Sequence, residues 1–512
     1  MMTAPREHGA PDRTIGEGPY TRLILRNVTV IDGTGAPPQG PADLVIEKNR
    51  ITQIHLVRSP TARMQSPARP LPGPGGHEID LDGCFIMPGL FDCHGHIATP
   101  NKSPSTHYSY YLWLAHGVTS IRDPGCMGNG LAFTKREADR SAQNAIAAPR
   151  ISPYVAFGEG REEPFRTPDE ARAWVRNVAE EGACGVKFFG YRPDILEAAL
   201  KELGRLGLGS CCHHAQTYVA QANALTTARM GLRSLEHWYG LPEALFTDRR
   251  VQAFPLTFNY EDEQQRFYEA GRIWRQAAEP GSPHWDQVIE ELVELGLTLV
   301  PTFSVYVAMR DVERVLGYPW HPEYTLPQLW DFWKPSRSSH GSAFYDWTTE
   351  MEVAWRENFA RWMTFVRDFF HRGGRVATGT DGGWIYNLWG FANVQEMELL
   401  QEAGLHPLEV VHAATLASAE LLGVSDELGS LTPGKLADIV VLDENPLANF
   451  KVLYGTGRLH LGADGALERA GGVRYTIKDG IVYSGNELRA AVRSLVEEER
   501  EKRGTRTLEP LV

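Results

Sequence analysis

Between residues 90 and 380 short apolar runs alternate with longer amphipathic stretches, and this alternation limits the fold more than any other feature. Apolar runs of four to eight residues read as strands; apolar residues at helical spacing read as helices. Candidate strands end at His96, Arg122, Val155, Phe189, His213, Glu236, Phe303 and Thr380, with helical stretches between them, for example at 169–181 and 194–206. Such alternation calls for a parallel sheet with crossover helices. Eight units close naturally as a TIM-like (β/α)8 barrel, an α/β fold whose C-terminal strand ends converge on one face. The residues with chemical capability fall at those ends.

The two ends of the chain have a different texture. Leu23-Ile24-Leu25, Val28-Thr29-Val30-Ile31, Asp43-Leu44-Val45-Ile46, Arg50-Ile51-Thr52-Gln53-Ile54 and Glu78-Ile79-Asp80-Leu81 read as short strands. Asp32-Gly33-Thr34-Gly35 supplies turn chemistry. Asp438-Ile439-Val440-Val441-Leu442 and 475–483 repeat the pattern near the other end. Neither group alone is long enough to bury a sheet face. The expected organisation is a disordered start (1–19), strands (20–87), the barrel (88–432), strands (433–487) and a charged amphipathic helix with tail (488–512). Residues 59–76, rich in Pro and Gly, read as a flexible loop. Two connections, about 238–297 and 304–371, exceed what a barrel needs. The second holds six of the thirteen tryptophans, Trp320, Trp330, Trp333, Trp347, Trp355 and Trp362. They read as the core of an extra helical layer, one or two of them facing a pocket.

A formal charge of −13 argues against a nucleic-acid partner, which needs a basic face. No window approaches 18 apolar residues, so no membrane span is expected, and the start lacks the apolar core of a secretory signal. Six cysteines without a C-x-x-C pair fit a reducing cytoplasm.

His94 and His96 end an apolar run that begins at Met87. Side chains two apart on a strand share a face, so both imidazoles can address one metal ion. Asp381, where an apolar strand meets Gly382-Gly383, can join them and take a proton from water; taken alone, it reads rather as a helix or turn cap, and only the other motifs reverse that. Lys187 lies in an apolar strand, where a lysine needs a partner or a lowered pKa, unless it reaches along the strand to solvent. His213 and His214 are adjacent and face opposite ways, so only one can enter the site; the register from Gly207-Leu208 selects His213. His237, after Ser234-Leu235-Glu236, is a further ligand candidate. Tyr191, Arg192, Trp238, Tyr239, Trp384 and Tyr386 lie just beyond ligand-bearing strand ends and are candidate substrate-binding positions. Arg122 and Asp123 are candidates for a structural pair. His116, His321, His340, His371, His406 and His412 read as structural or surface residues.

In order along the chain stand Met87-Pro88-Gly89-Leu90-x-Asp92-x-His94-x-His96, Gly117-Val118-Thr119-Ser120-Ile121-Arg122-Asp123, Gly185-Val186-Lys187, His213-His214-Ala215, Ser234-Leu235-Glu236-His237, Thr378-Gly379-Thr380-Asp381 and Pro433-Gly434-Lys435-Leu436-Ala437-Asp438. This series resembles the amidohydrolase superfamily, with a motif pattern most like its imidazolonepropionase-like and Xaa-Pro dipeptidase-like branches. The resemblance runs from about residue 22 to about 485 and thins in the two long connections. It implies that the end strands form one small β-sandwich beside the barrel. It implies a binuclear centre of two divalent ions, zinc by its suitability for mixed histidine and carboxylate ligands, with manganese or iron as alternatives. The ligands would be His94, His96, Lys187 as an N6-carboxylated bridge, His213, His237 and Asp381; the family's His-Ala pair would instead select His214. The implied reaction is attack of a metal-bridging hydroxide on an amide-type C–N bond of a peptide-like or cyclic small molecule, with Asp381 handling the proton. Lactone, carbamate or urea hydrolysis and ring deamination are alternatives on the same centre, as is a metal-binding relative without catalysis. A homo-oligomer is the usual state.

Overall fold

In a computed structural model the described residues are 8–57, 68–342 and 344–504. Five strands come first: β1 (Arg22–Val30), β2 (Gln39–Glu47), β3 (Arg50–Leu56), β4 (His77–Asp80) and β5 (Phe85–Pro88). Eight follow in alternation with helices: β6 (Leu90–Asp92), β7 (Val118–Gly125), β8 (Arg150–Ala156), β9 (Gly185–Phe188), β10 (Gly209–Cys212), β11 (Ser234–Glu236), β12 (Thr298–Val300) and β13 (Arg375–Val376). The last are β14 (Ile439–Leu442), β15 (Arg458–Leu461), β16 (Leu467–Ala470), β17 (Val473–Lys478) and β18 (Ile481–Ser484).

Strands β6 to β13 make one parallel sheet in sequence order. Every residue of β7 and β9 is buried, as expected of strands covered on both faces. Strand pairing stops at Asp92 and Val376, short of the expected His96 and Thr380, because the chain turns to carry the site residues. The first and last strands meet beyond their ends. Cys93 N donates to Thr378 O at 2.8 Å, Thr378 Oγ1 donates to Phe91 O at 2.9 Å, and Asp381 N donates to His94 O at 2.7 Å.

The crossover helices follow from local signals. In Pro168–Glu180, Thr167 Oγ1 accepts the Glu170 N–H, and Asp169 and Glu170 sit in the first turn, where the helix dipole favours them. Ala171, Trp174, Val175 and Val178, at i, i+3, i+4 and i+7, form the buried face.

The other large sheet takes strands from both chain ends, in the order β18-β17-β14-β5-β1-β2-β3 with β4 beside β1. Leu23, Leu25, Val28, Leu44, Ile46, Ile86, Ile439, Val441 and Ile477 share one core, so neither end buries its apolar face without the other. Only Gly89 separates β5 from β6. A Cβ there would stand 2.1 Å from Thr119 Oγ1, so the junction between the sheets requires glycine.

Part of the expected disordered start is ordered. Ala10 N donates to Glu137 Oε2, Arg13 Nε to Asn144 O, and Glu17 N to Val482 O, which fix residues 8–19 on the body of the protein. Residues 1–7, 58–67 and 505–512 lie outside the described residues, and with them the first half of the expected flexible loop. The C-terminal helix spans Gly485–Arg503. No helix among the described residues is long and apolar enough to cross a membrane.

The two long connections are largely helical, and Glu263, Arg266, Phe267, Val305 and Tyr306 from them reach the cavity above the strand ends. The first includes Glu263–Ala270 and Pro283–Glu294; the second includes Phe303–Arg310 and the long helix Thr349–His371. Trp333, Trp355 and Trp362 are fully buried, with Trp320 nearly so. They pack as core, and none of the six tryptophans lines the cavity above the strands.

Candidate metal centre

His94 and His96 follow β6 and are almost fully buried, with ring centroids 5.1 Å apart. The buried Asp92 holds the turn between them and the last strand. Its Oδ1 accepts His94 N–H and Thr380 N–H; its Oδ2 accepts Trp113 Nε1–H and Thr380 Oγ1–H. A Cβ on Gly379 would stand 2.7 Å from His94 Cβ, so glycine lets the last strand approach this close. Asp381 then faces three imidazoles. Its Oδ1 is 3.2 Å from His96 Nε2 and 3.8 Å from His94 Nε2, and its Oδ2 is 3.8 Å from His237 Nε2. Asp381 and His237 both stand at positive φ, +57° and +62°. Non-glycine residues hold this region where packing over-determines it, a pattern that concentrates at functional sites.

The other ring nitrogen of each histidine is engaged or faced. His94 Nδ1 lies 2.5 Å from Glu236 Oε2, His96 Nδ1 3.4 Å from Asp123 Oδ1, and His237 Nδ1 2.5 Å from Thr302 Oγ1. Outer carboxylate and hydroxyl partners of this kind orient a ligand imidazole and leave Nε2 as the ligating atom. Burial holds the imidazoles of His94, His213 and His237 well below their ordinary range, which keeps them neutral. His96 goes the other way: burial pulls it down, but Asp123 and Asp381 outweigh that and raise it. Burial would raise Asp381, yet His94, His96 and Lys187 push it well below the usual carboxylate range. The neutral imidazoles of His94 and His237 beside an ionised carboxylate are donors suited to a divalent cation. His94, His96 and Asp381 place one ligand atom each within 4.8 Å of one another.

Beyond this trio, Lys187, His213 and His237 line the same cavity, of about 410 Å³. The rings of His213 and His237 are 4.8 Å apart. His214 turns away and pairs with Thr227 Oγ1 at 2.9 Å. Lys187 is 2% exposed and its side chain makes no hydrogen bond or ion pair among the described residues, its ammonium lying 5.6 Å from the Phe189 ring centroid.

A family model described as the amidohydrolase family matches residues 361–482, the segment that carries Asp381 and Pro433-Gly434-Lys435. That stretch, less than half of the chain, is similar to the amidohydrolase family. The fold is similar to that of a Xaa-Pro dipeptidase solved with bound methionine, at TM-score 0.58 and 18% identity, covering 90% of this chain and all of that one. It is also similar to a bottromycin amidohydrolase, at TM-score 0.61 and 19% identity, covering 95% and 91%. An adenine deaminase of Paracoccus denitrificans (strain Pd 1222) is 27% identical over 173 residues, 30% of this chain and 28% of that protein. The chain spans less than half the length of the curated relatives it matches.

Of the expected substrate-binding positions, Trp384 lines the cavity and the others do not. The turn at His237 throws Trp238 outward among Trp274, Trp355 and Trp362, and Tyr239 packs behind His213, 4.9 Å between rings. Tyr191 Oη donates to Phe165 O, Arg192 pairs with Asp194 at the surface, and Tyr386 Oη bonds Ser342 Oγ. Arg122 and Asp123 do not pair, because alternation on β7 points them apart. Arg122 bonds Glu236, Ser234 and Cys93 O, while Asp123 faces His96. His340 is a wall residue of this cavity, not merely structural. Glu263 lies between it and Arg266, with Oε2 3.0 Å from His340 Nδ1 and Oε1 3.0 Å from Arg266 Nη1. Tyr306 completes this wall. The i,i+3 pair Glu263 and Arg266 was the one local signal available in the sequence.

Proposed function

We propose that this protein is a metal-dependent hydrolase of an amide-type C–N bond, working at the C-terminal face of a closed (β/α)8 barrel. The Cys93–Thr378 and Asp381–His94 backbone bonds support closure. The observation that carries the reading is convergence: six residues spread over 288 positions, from His94 to Asp381, line one cavity. His94, His96 and Asp381 would hold one divalent ion, and His213 and His237, with Lys187 as a carbamate, a second. When bound, such ions polarise a carbonyl and acidify water. Asp381 Oδ2 takes the proton of the attacking water and returns it to the departing nitrogen, which leaves as an amine. Glu236, Asp123 and Thr302 keep the imidazoles aimed. The His340–Glu263–Arg266 wall and Trp384 orient the substrate. Six unpaired cysteines support a cytoplasmic setting.

The test is metal analysis joined to turnover of a dipeptide and lactone panel. Chelation abolishes activity and zinc or manganese restores it. Asp381→Asn lowers kcat by about 10²–10⁴ while the far-UV circular dichroism is kept. Full metal content with no turnover of any panel member points instead to a metal-binding relative without catalysis.

A further inference from the structure

Beside the metal centre lies a second chamber of about 340 Å³ that shares His96, Met127 and Trp384 with the first. Lys102 lines it. This lysine is 4% exposed, and its ammonium lies 3.7 Å from the Trp384 ring centroid and 4.5 Å from that of Phe332. It makes no side-chain hydrogen bond and no ion pair, and no acidic side chain lines the chamber, among the described residues; Asp381 and Asp123 attract the ammonium only from beyond the chamber's lining. Trp384 Nε1 is also buried without an acceptor. Two donors are thus left unanswered at one place, one of them a desolvated amine, which is costly to keep unless something occupies the space. The loop is not free to swing out. Lys102 N donates to Thr99 O, His8 Nε2 lies 2.7 Å from Ala98 O, Ser105 Oγ donates to Gly9 O and Thr106 N to His8 O.

We propose that this chamber is a substrate subsite for a carboxylate-bearing arm, with Lys102 as the specificity residue that binds the carboxylate. The inference rests on the hydrolase reading and adds to it the class of substrate: an amide with an anionic group on one side of the scissile bond. The carboxylate accepts a charge-assisted hydrogen bond from Lys102 Nζ, and the indole N–H of Trp384 offers a second. Burial, which pulls Lys102 down to about 7, is offset when the anion arrives. Phe332 and Trp384 cover the apolar part of the arm.

The experiment uses the full metal-loaded protein and two matched pairs of probes. Alanyl-alanine against alanyl-alaninamide places the charge on the amine side; the monoanilide of succinic acid against its terminal amide places it on the acyl side. One pair is expected to favour the acid at least tenfold in kcat/KM, through KM, and Lys102→Met is expected to reduce that ratio at least tenfold. An unchanged ratio in Lys102→Met, or no acid preference in either pair, overturns the proposal. A second measurement needs no variant: acetic anhydride labelling of Lys102 in the wild type, read by peptide mass spectrometry. The acid of one pair is expected to slow labelling and its amide is not; equal effects overturn the proposal. If no probe is turned over, the hydrolase reading fails, and labelling alone decides the chamber.

Discussion

Thr302 sets how His237 presents itself to the centre. Among the described residues its hydroxyl is the one partner of His237 Nδ1, so Thr302→Val removes the contact while keeping the shape. Metal affinity is expected to fall about 10- to 100-fold, read by competition with a chromophoric chelator, with little change in unfolding midpoint. Glu236 is a harsher case. Its Oε1 accepts from Arg122 and Ser234, and its Oε2 meets His94. Glu236→Ala strands a fully buried guanidinium as well as freeing His94. A loss of about 3–5 kcal/mol in urea denaturation is expected; a loss under 1 kcal/mol would show that Arg122 finds another partner.

At the scale of elements, the helix Phe303–Arg310 brings Val305 and Tyr306 to the cavity, yet its N-terminus has no side-chain cap of its own. Thr302 stands at φ +53°, and the first two amides of the helix donate instead to Glu396, on the helix Phe391–Ala403, at 2.9 and 2.7 Å. One buried carboxylate therefore fastens a wall of the site to a neighbouring helix. Glu396→Ala leaves two buried N–H groups unanswered and is expected to cost about 1–3 kcal/mol for each that finds no water. KM is expected to rise more than kcat falls, because Tyr306 shifts while Asp381 does not. Thermal unfolding and steady-state kinetics check the two halves of this prediction.

For the whole molecule, the two large sheets are joined by a polar cluster. Lys478 Nζ donates to Ser141 O and Asn144 Oδ1, and Asp479 accepts from Asn49, Asn144 and Arg150. Burial lowers Lys478 to about 8 from 10.5. Between those values the unfolded chain carries more protons, so this group makes stability rise with pH across that window, by on the order of 3 kcal/mol at most. Lys478→Met is expected to be less stable at pH 7, having lost the bonds to Ser141 and Asn144. It is also expected to lack this part of the rise between pH 8 and 10, as followed by urea midpoints at each pH. Much of the architecture was legible from the chain. The eight strands and helices such as Pro168–Glu180 rest on periodicity and on neighbours a few residues away, which a linear sequence displays; the six cavity-lining ligand candidates came as a set from the ordered motifs that resemble the amidohydrolase superfamily. His213 and His214 were separable only to the extent that strand register could be counted, and the structure turns His213 inward. Glu263, Arg266, Tyr306, His340 and Lys102 reached the site walls, while Trp238, Tyr239, Tyr191, Arg192 and Tyr386 turned from them, for reasons no period encodes. Where helices of two long connections pack over a sheet, the direction of each side chain depends on contacts between segments distant in the chain. Only the assembled structure contains those contacts.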